Sequence, residues 1–169
     1  MSRLENASMS QAVQGHFPGR PPRLPAVFHS LGPPLYFVTV TTWRRQAILA
    51  SPTAQQAFMN YAQANAEQGR AIGRFVLMPD HIHFFVRLVP NSRLTDFVRL
   101  LKQAMTNVLR QTENCERVWQ PGFFDHVLRS DESCAEKWIY VRANPVRAGL
   151  VKRSEDWPYQ GEIVRIDRA

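Results

Sequence analysis

The chain predicts an α+β fold: a ferredoxin-like, split βαββαβ antiparallel sheet with helices on one face, plus a C-terminal helix that carries Tyr140. Three observations predict it. Four short runs are rich in β-branched and aromatic residues. Two longer runs with apolar residues at helical spacing separate the first from the second and the third from the fourth. A last helical run stops at a proline. A length of 169 residues is enough for one such domain with a proper core.

Ordered structure is expected to begin at Leu35, where LYFVTVTTW alternates as a strand does. In residues 52–69, PTAQQAFMNYAQANAEQG, Ala54, Phe58, Tyr61 and Ala62 mark one face of a helix, and Gly69 closes it. AIGRFVLMP is the second strand, Pro79-Asp80 a turn, and HIHFFVRLVP the third strand. A second helix fits RLTDFVRLLKQAMTNVLRQ, with Leu94, Phe97, Val98, Leu101 and Ala104 as its apolar stripe. A fourth strand falls within VWQPGFFDHVLR. The run DESCAEKWIYVRA then reads as a third helix, broken before Pro145. In this arrangement two helices cover one sheet face and leave the other free.

Residues 1–34 are polar and then proline-rich, ending in PGRPPRLP and GPP, which resists helix and central strand. They are read as a flexible arm, made basic by Arg20 and Arg23, ahead of a domain at 35–169. The whole chain carries 21 basic against 14 acidic residues, and all but Lys102, Lys137 and Lys152 of the basic ones are arginine. Arginine grips phosphate with two parallel hydrogen bonds, so a polyanion such as nucleic acid is a natural partner, beside the plainer reading of a solvated basic surface. Cys115 and Cys134 are too few for a disulfide framework and lack zinc-site spacing. No apolar run approaches the ~20 residues of a membrane span. The opening MSRLENASMSQAVQG has no apolar core of a secretory leader, so a cytoplasmic place is expected.

His81-Ile82-His83 lies at the start of the third strand. Residues two apart on a strand face the same way, so both imidazoles can meet one ion while Ile82 turns inward. With five histidines, an H-x-H arises by chance in roughly one sequence in eight. Spacing alone therefore leaves open both a ligand pair and two polar residues at a sheet edge. As ligands, two imidazoles and an oxygen donor suit Mg²⁺ or Mn²⁺ acting as a Lewis acid, with zinc second. Tyr140 and Asn144 are four apart, hence on one face of a continuous helix. A phenol and an amide oxygen could thus reach the same ion, or Tyr140 could be a packed helix aromatic.

Three blocks in order resemble the REP-associated tyrosine transposases, a branch of the single-tyrosine HUH nucleases. They are VLMPDHIHFFVRL at 76–88, LLKQAMTNVLRQ followed by VWQPGFFDHVLR within 100–129, and YVRANPVRAGLV at 140–151, with SEDWPY at 154–159 as a sequel. The resemblance covers roughly residues 35–160. It implies His81 and His83 as metal ligands, Tyr140 as the nucleophile on a DNA phosphate, and Asn144 as a third ligand. His126 matches a recurrent position whose role is either a structural hydrogen bond or catalysis. The implied substrate is single-stranded DNA with imperfect palindromic hairpins, cleaved near a short tetranucleotide at the hairpin foot. The implied state is a monomer, associated with the nucleoid. One departure is AVFHSLGPPLYF before the first strand, where family members often carry a basic-aromatic patch and paired glycines.

Arg44 and Arg45 past the first strand, Lys102 on the second helix, Arg129 at the end of the fourth strand, and Arg142 and Arg147 beside the tyrosine are expected to hold phosphates, with Arg20 and Arg23 on the arm. Trp43 or Phe123 could stack a base. Two other readings share the basic charge: a non-catalytic nucleic-acid-binding module on an RRM-like sheet, and a domesticated relative that processes palindromes without moving itself.

Overall fold

A computed structural model describes residues 33–113, 115–128 and 131–166. The arm with Arg20 and Arg23, and Arg129, lie outside these residues. The predicted order is present: β1 (Leu35–Thr41), α1 (Pro52–Ala66), β2 (Arg70–Leu77), β3 (His81–Leu88), α2 (Leu94–Glu113), β4 (Phe124–Leu128) and α3 (Asp131–Arg142). After these come α4 (Asn144–Arg147) and a short β5 (Gln160–Glu162). All strands pair antiparallel in the order β4-β1-β3-β2-β5, so the first four have the ferredoxin-like arrangement.

Local chemistry accounts for the element ends. Ser51 caps α1 by accepting a hydrogen bond from the Ala54 amide at 3.2 Å, with Pro52 preset for the first helical turn. Gly69 follows at φ +71°, where a Cβ would lie 2.3 Å from the Val89 side chain; only glycine fits between α1 and β2.

Alternation along the strands sends side chains to two unlike cores. Val38, Val40, Phe75, Leu77, Ile82, Phe84, Val86 and Leu88 face α1 and α2, meeting Phe58, Phe97, Leu101 and Met105 in one apolar cluster. Leu35, Phe37, Val76, Phe85 and Leu128 face the other way, against Val141 and Trp138 of α3 and the later Trp157. The second face is therefore not left free, as the sequence predicted. The terminal helix and Trp157, whose indole N–H donates to the Leu77 carbonyl at 2.9 Å, cover part of it. The uncovered remainder carries His81, His83 and the outer end of β4.

Two elements were not expected. β5 continues the sheet beyond β2, with Arg74 opposite Glu162. Ala143 separates α3 from α4, so Asn144 opens a new turn instead of continuing the Tyr140 helix. The physical cause is Pro145, which has no amide hydrogen and crowds the backbone before it.

Candidate active site

Both histidines stand at the β3 end beside β1, His81 opposite Thr41 and His83 opposite Thr39. Their ring centroids are 4.6 Å apart and nearly perpendicular. Each has its Nδ1 engaged. His83 shares a 2.8 Å hydrogen bond with Thr39 Oγ1, and His81 a 2.6 Å bond with Asp80 Oδ1. An imidazole held through one nitrogen presents the other in a fixed direction, the usual preparation of a ligand histidine. Phe37 stacks on His83 with centroids 5.4 Å apart. Burial, first, and then the charges of His81, Lys137, Arg147 and Arg45 push the His83 pKa down to about 3, so near neutral pH the ring keeps a lone pair.

Asp80 also receives Arg45, whose Nε lies 2.7 Å from Oδ2. The loop that brings Arg45 there has an unusual backbone: Arg44 and Arg45 have φ of 51° and 59°. The left-handed region costs a non-glycine residue about 1 kcal/mol or more. Tertiary bonds hold it: the Trp43 amide donates to Val118 O at 2.8 Å and the Thr42 amide to Asp80 O at 2.9 Å.

Tyr140 is 59% exposed on α3, so it is not the packed core aromatic that a helix position also allowed. The Arg147 guanidinium lies 3.9 Å from the centre of its ring and donates to Asn144 Oδ1. Arg147 is thus common to the phenol, the amide and, through its charge, His83. Lys137, one turn earlier on α3, places its ammonium over the Phe37 ring at 5.3 Å.

The other expected contacts fall in different surroundings. Arg44 turns to Trp43, whose ring is also covered by Arg117 at 3.8 Å, in a cleft shared with Glu113 and Glu116. Phe123 packs toward the helix-side core. Neither expected stacking ring is thus open toward the histidines. Lys102 is half-buried, donates to the carbonyls of Gln120 (2.8 Å) and Gly122, and has its pKa lowered to about 8 by burial. Its ammonium fastens the loop before β4. Arg142 is exposed. His126 is exposed on the histidine-bearing face, opposite Phe37, and its side chain has no hydrogen-bond partner among the described residues.

Asp80, Thr39, Lys137 and Phe124 were not singled out from sequence. Asp80 had a signal, its place directly before H-x-H, but reads equally as a turn residue. Thr39 and Phe124 become visible only through strand register, which puts Phe124, Thr39 and His83 in one row.

The donor set fits a divalent cation in part. Two imidazoles have one nitrogen each fixed by a neighbour, and the described residues contain no group of three or more His, Cys, Asp or Glu side chains that could hold a metal ion. Further donors would be oxygens; Asn144 Oδ1, the expected third ligand, accepts a hydrogen bond from Arg147.

Residues 35–139 match the family described as Transposase IS200 like, a match that ends one residue before Tyr140. A REP-associated tyrosine transposase of Escherichia coli is 28% identical over 129 residues, covering 73% of each chain. A Haemophilus influenzae protein carrying that designation provisionally is 29% identical over 136 residues, 74% of this chain and 77% of its own. The solved structure of a REP-associated tyrosine transposase bound to a REP hairpin has the same fold, with a TM-score of 0.64 and 22% identity. That likeness covers 81% of this chain and 91% of the other. No helix among the described residues is long and apolar enough to cross a membrane.

Proposed function

The chain belongs to the family of IS200-like transposases, and from that premise we propose that it is a metal-dependent endonuclease and strand-transferase of single-stranded DNA. Tyr140 is the nucleophile. Its phenol oxygen attacks the phosphorus of a DNA phosphodiester, its proton leaves to water, and the bond from phosphorus to the 3′ oxygen breaks. The 3′ oxygen takes a proton from water and departs as a free 3′-hydroxyl, and the 5′ phosphate stays on Tyr140. Attack by a 3′-hydroxyl on this phosphotyrosine reverses the step and joins strands without an external energy source.

The surrounding residues have separate tasks. The Arg147 guanidinium packs on the Tyr140 ring and so holds it beside Asn144. His81 and His83, with Asn144 as the expected third ligand, would hold Mg²⁺ or Mn²⁺, which would neutralise charge at the phosphate oxygens. Arg45, Arg142 and Arg147 are the phosphate contacts that the geometry favours, and Arg129, Arg20 and Arg23 add to them if their segments reach the strand. Lys102 is better explained by its loop. The substrate is hairpin DNA of the REP kind, a reading supported by the REP-associated relatives and by the structure of one such transposase bound to a REP hairpin, and the chain acts as a monomer in the cytoplasm, at the nucleoid.

The observation that carries this reading is Arg147, which links the Tyr140 ring and Asn144 to the charge environment of His83. The test is a denaturing gel of protein incubated with DNA hairpins bearing randomised single-stranded flanks. A covalent protein–DNA band is expected with Mg²⁺ or Mn²⁺, lost with chelator and in Tyr140→Phe. DNA binding without any such band would favour the non-catalytic, RRM-like module instead.

A further inference from the structure

β4 is the outer strand of the sheet, and its alternation splits its residues sharply. Leu128 is buried against Leu35, whereas Phe124 and His126, on the same face, are exposed. Phe124 is 59% exposed, an unusual fate for a phenylalanine with an apolar cluster beginning one strand away. The two rings are two residues apart, about 7 Å along the strand. That interval is comparable with the phosphate spacing of an extended single strand.

Register fixes where this pair sits relative to the histidines. Phe124 lies opposite Thr39, which lies opposite His83; His126 lies opposite Phe37, which lies opposite Phe85. Phe124 is therefore two strands from His83, a span of about 10 Å with only the small Thr39 between them. This is the reach from a phosphate to a neighbouring nucleotide's base. Above the adjacent row, Lys137 holds its ammonium over Phe37, and Arg147 and Arg45 extend the positive charge toward the histidines.

We infer that Phe124 and His126 form a ledge on which bases of a single-stranded DNA stack as the strand approaches His81 and His83, with Lys137 taking an intervening phosphate. This rests on the single-strand chemistry proposed above and adds to it a base-binding subsite on β4. The occupant is single-stranded DNA because flat exposed rings beside the Lys137 ammonium match its two surfaces, base and phosphate. A stack of this kind tolerates any base, so the ledge contributes affinity and positioning more than sequence choice.

The test uses the full chain carrying Tyr140→Phe, so that binding is read without cleavage. A fluorescent oligothymidylate of about 12 nucleotides is titrated by anisotropy, with Phe124→Ala, Phe124→Leu, Phe124→Trp and His126→Ala added in turn. Phe124→Ala and Phe124→Leu should each weaken binding roughly 5- to 100-fold, Phe124→Trp should retain it, and His126→Ala should lose less. The leucine variant keeps the apolar bulk, so its loss separates ring stacking from mere coverage, and thermal melts check that every variant is folded. Equal affinity for the Tyr140→Phe parent and for its Phe124→Ala and Phe124→Leu variants would overturn the ledge. Should the Tyr140-containing protein still form its covalent band in that case, only the ledge fails. If the wild type neither holds oligothymidylate nor attaches to hairpin DNA, the underlying reading fails with it.

Discussion

The two faces of β3 are built from alternate residues of one eight-residue strand, yet they do opposite work. Ile82, Phe84, Val86 and Leu88 are at most 3% exposed and lock the sheet to α1 and α2. His81 and His83 point the other way, with their Nδ1 atoms tied to Asp80 and Thr39. The difference teaches why a sheet suits this task. The apolar face makes the backbone rigid, and ligands set on a rigid strand keep a more defined geometry than ligands on a loop. Changes on one face should therefore be read in stability, and changes on the other in metal and DNA.

The sharpest way to break that division is from the apolar side. Phe84→Ala removes a fully buried ring and should cost about 3–5 kcal/mol in urea unfolding, with metal binding lost only through unfolding. If metal affinity fell while stability held, the two faces would not be separable as described. From the other side, Asp80→Ala frees His81 Nδ1 and should weaken Mn²⁺ binding roughly 10- to 100-fold by calorimetry while moving the unfolding midpoint little. Asp80→Asn keeps an acceptor for that nitrogen and should recover part of the loss. An unchanged Mn²⁺ affinity in Asp80→Ala would remove the carboxylate from the site.

The smallest effect is one of pH, in metal-free protein. Folded His83 takes a proton only near pH 3, against 6.5 for an ordinary histidine. Between those values the unfolded chain binds the extra proton, so this residue's contribution is complete above about pH 6.5 and declines as pH falls toward 3. Unfolding free energy measured at pH 7 and pH 5 should drop by at most about 1 kcal/mol per pH unit from this source. His83→Gln should show a shallower decline, and equal slopes in the two proteins would contradict the assignment.

What the sequence disclosed follows the same division. The four main strands and the first two helices were legible because their burial imposes a period on the residues. The H-x-H pair was legible because period two guarantees a shared face. The third helix and its break before Pro145 were readable too, but the consequence for Asn144 was not: four residues place a pair on one face only if the helix is unbroken between them. β5 escaped because Gln160-Gly161-Glu162 has neither length nor apolar alternation. The adjacent pair Phe123 and Phe124 shows the finest limit. Their parity in the sheet decides which ring enters the helix-side core and which stays open beside the histidines, and parity comes from pairing with β1, not from composition.

Thr42, fully buried, has a consequence of another kind. Its hydroxyl lies 2.8 Å from the Gln46 carbonyl and 3.0 Å from that of Asp80, and its amide also donates to Asp80. The arginine loop and the turn before His81 are thereby riveted at a single point. Most surface loops absorb an inserted residue at little thermodynamic cost. Here, lengthening the chain between 42 and 46 would pull Arg45 off the carboxylate that steadies an imidazole. Natural variation in length should therefore be scarce in this short stretch and find its room elsewhere.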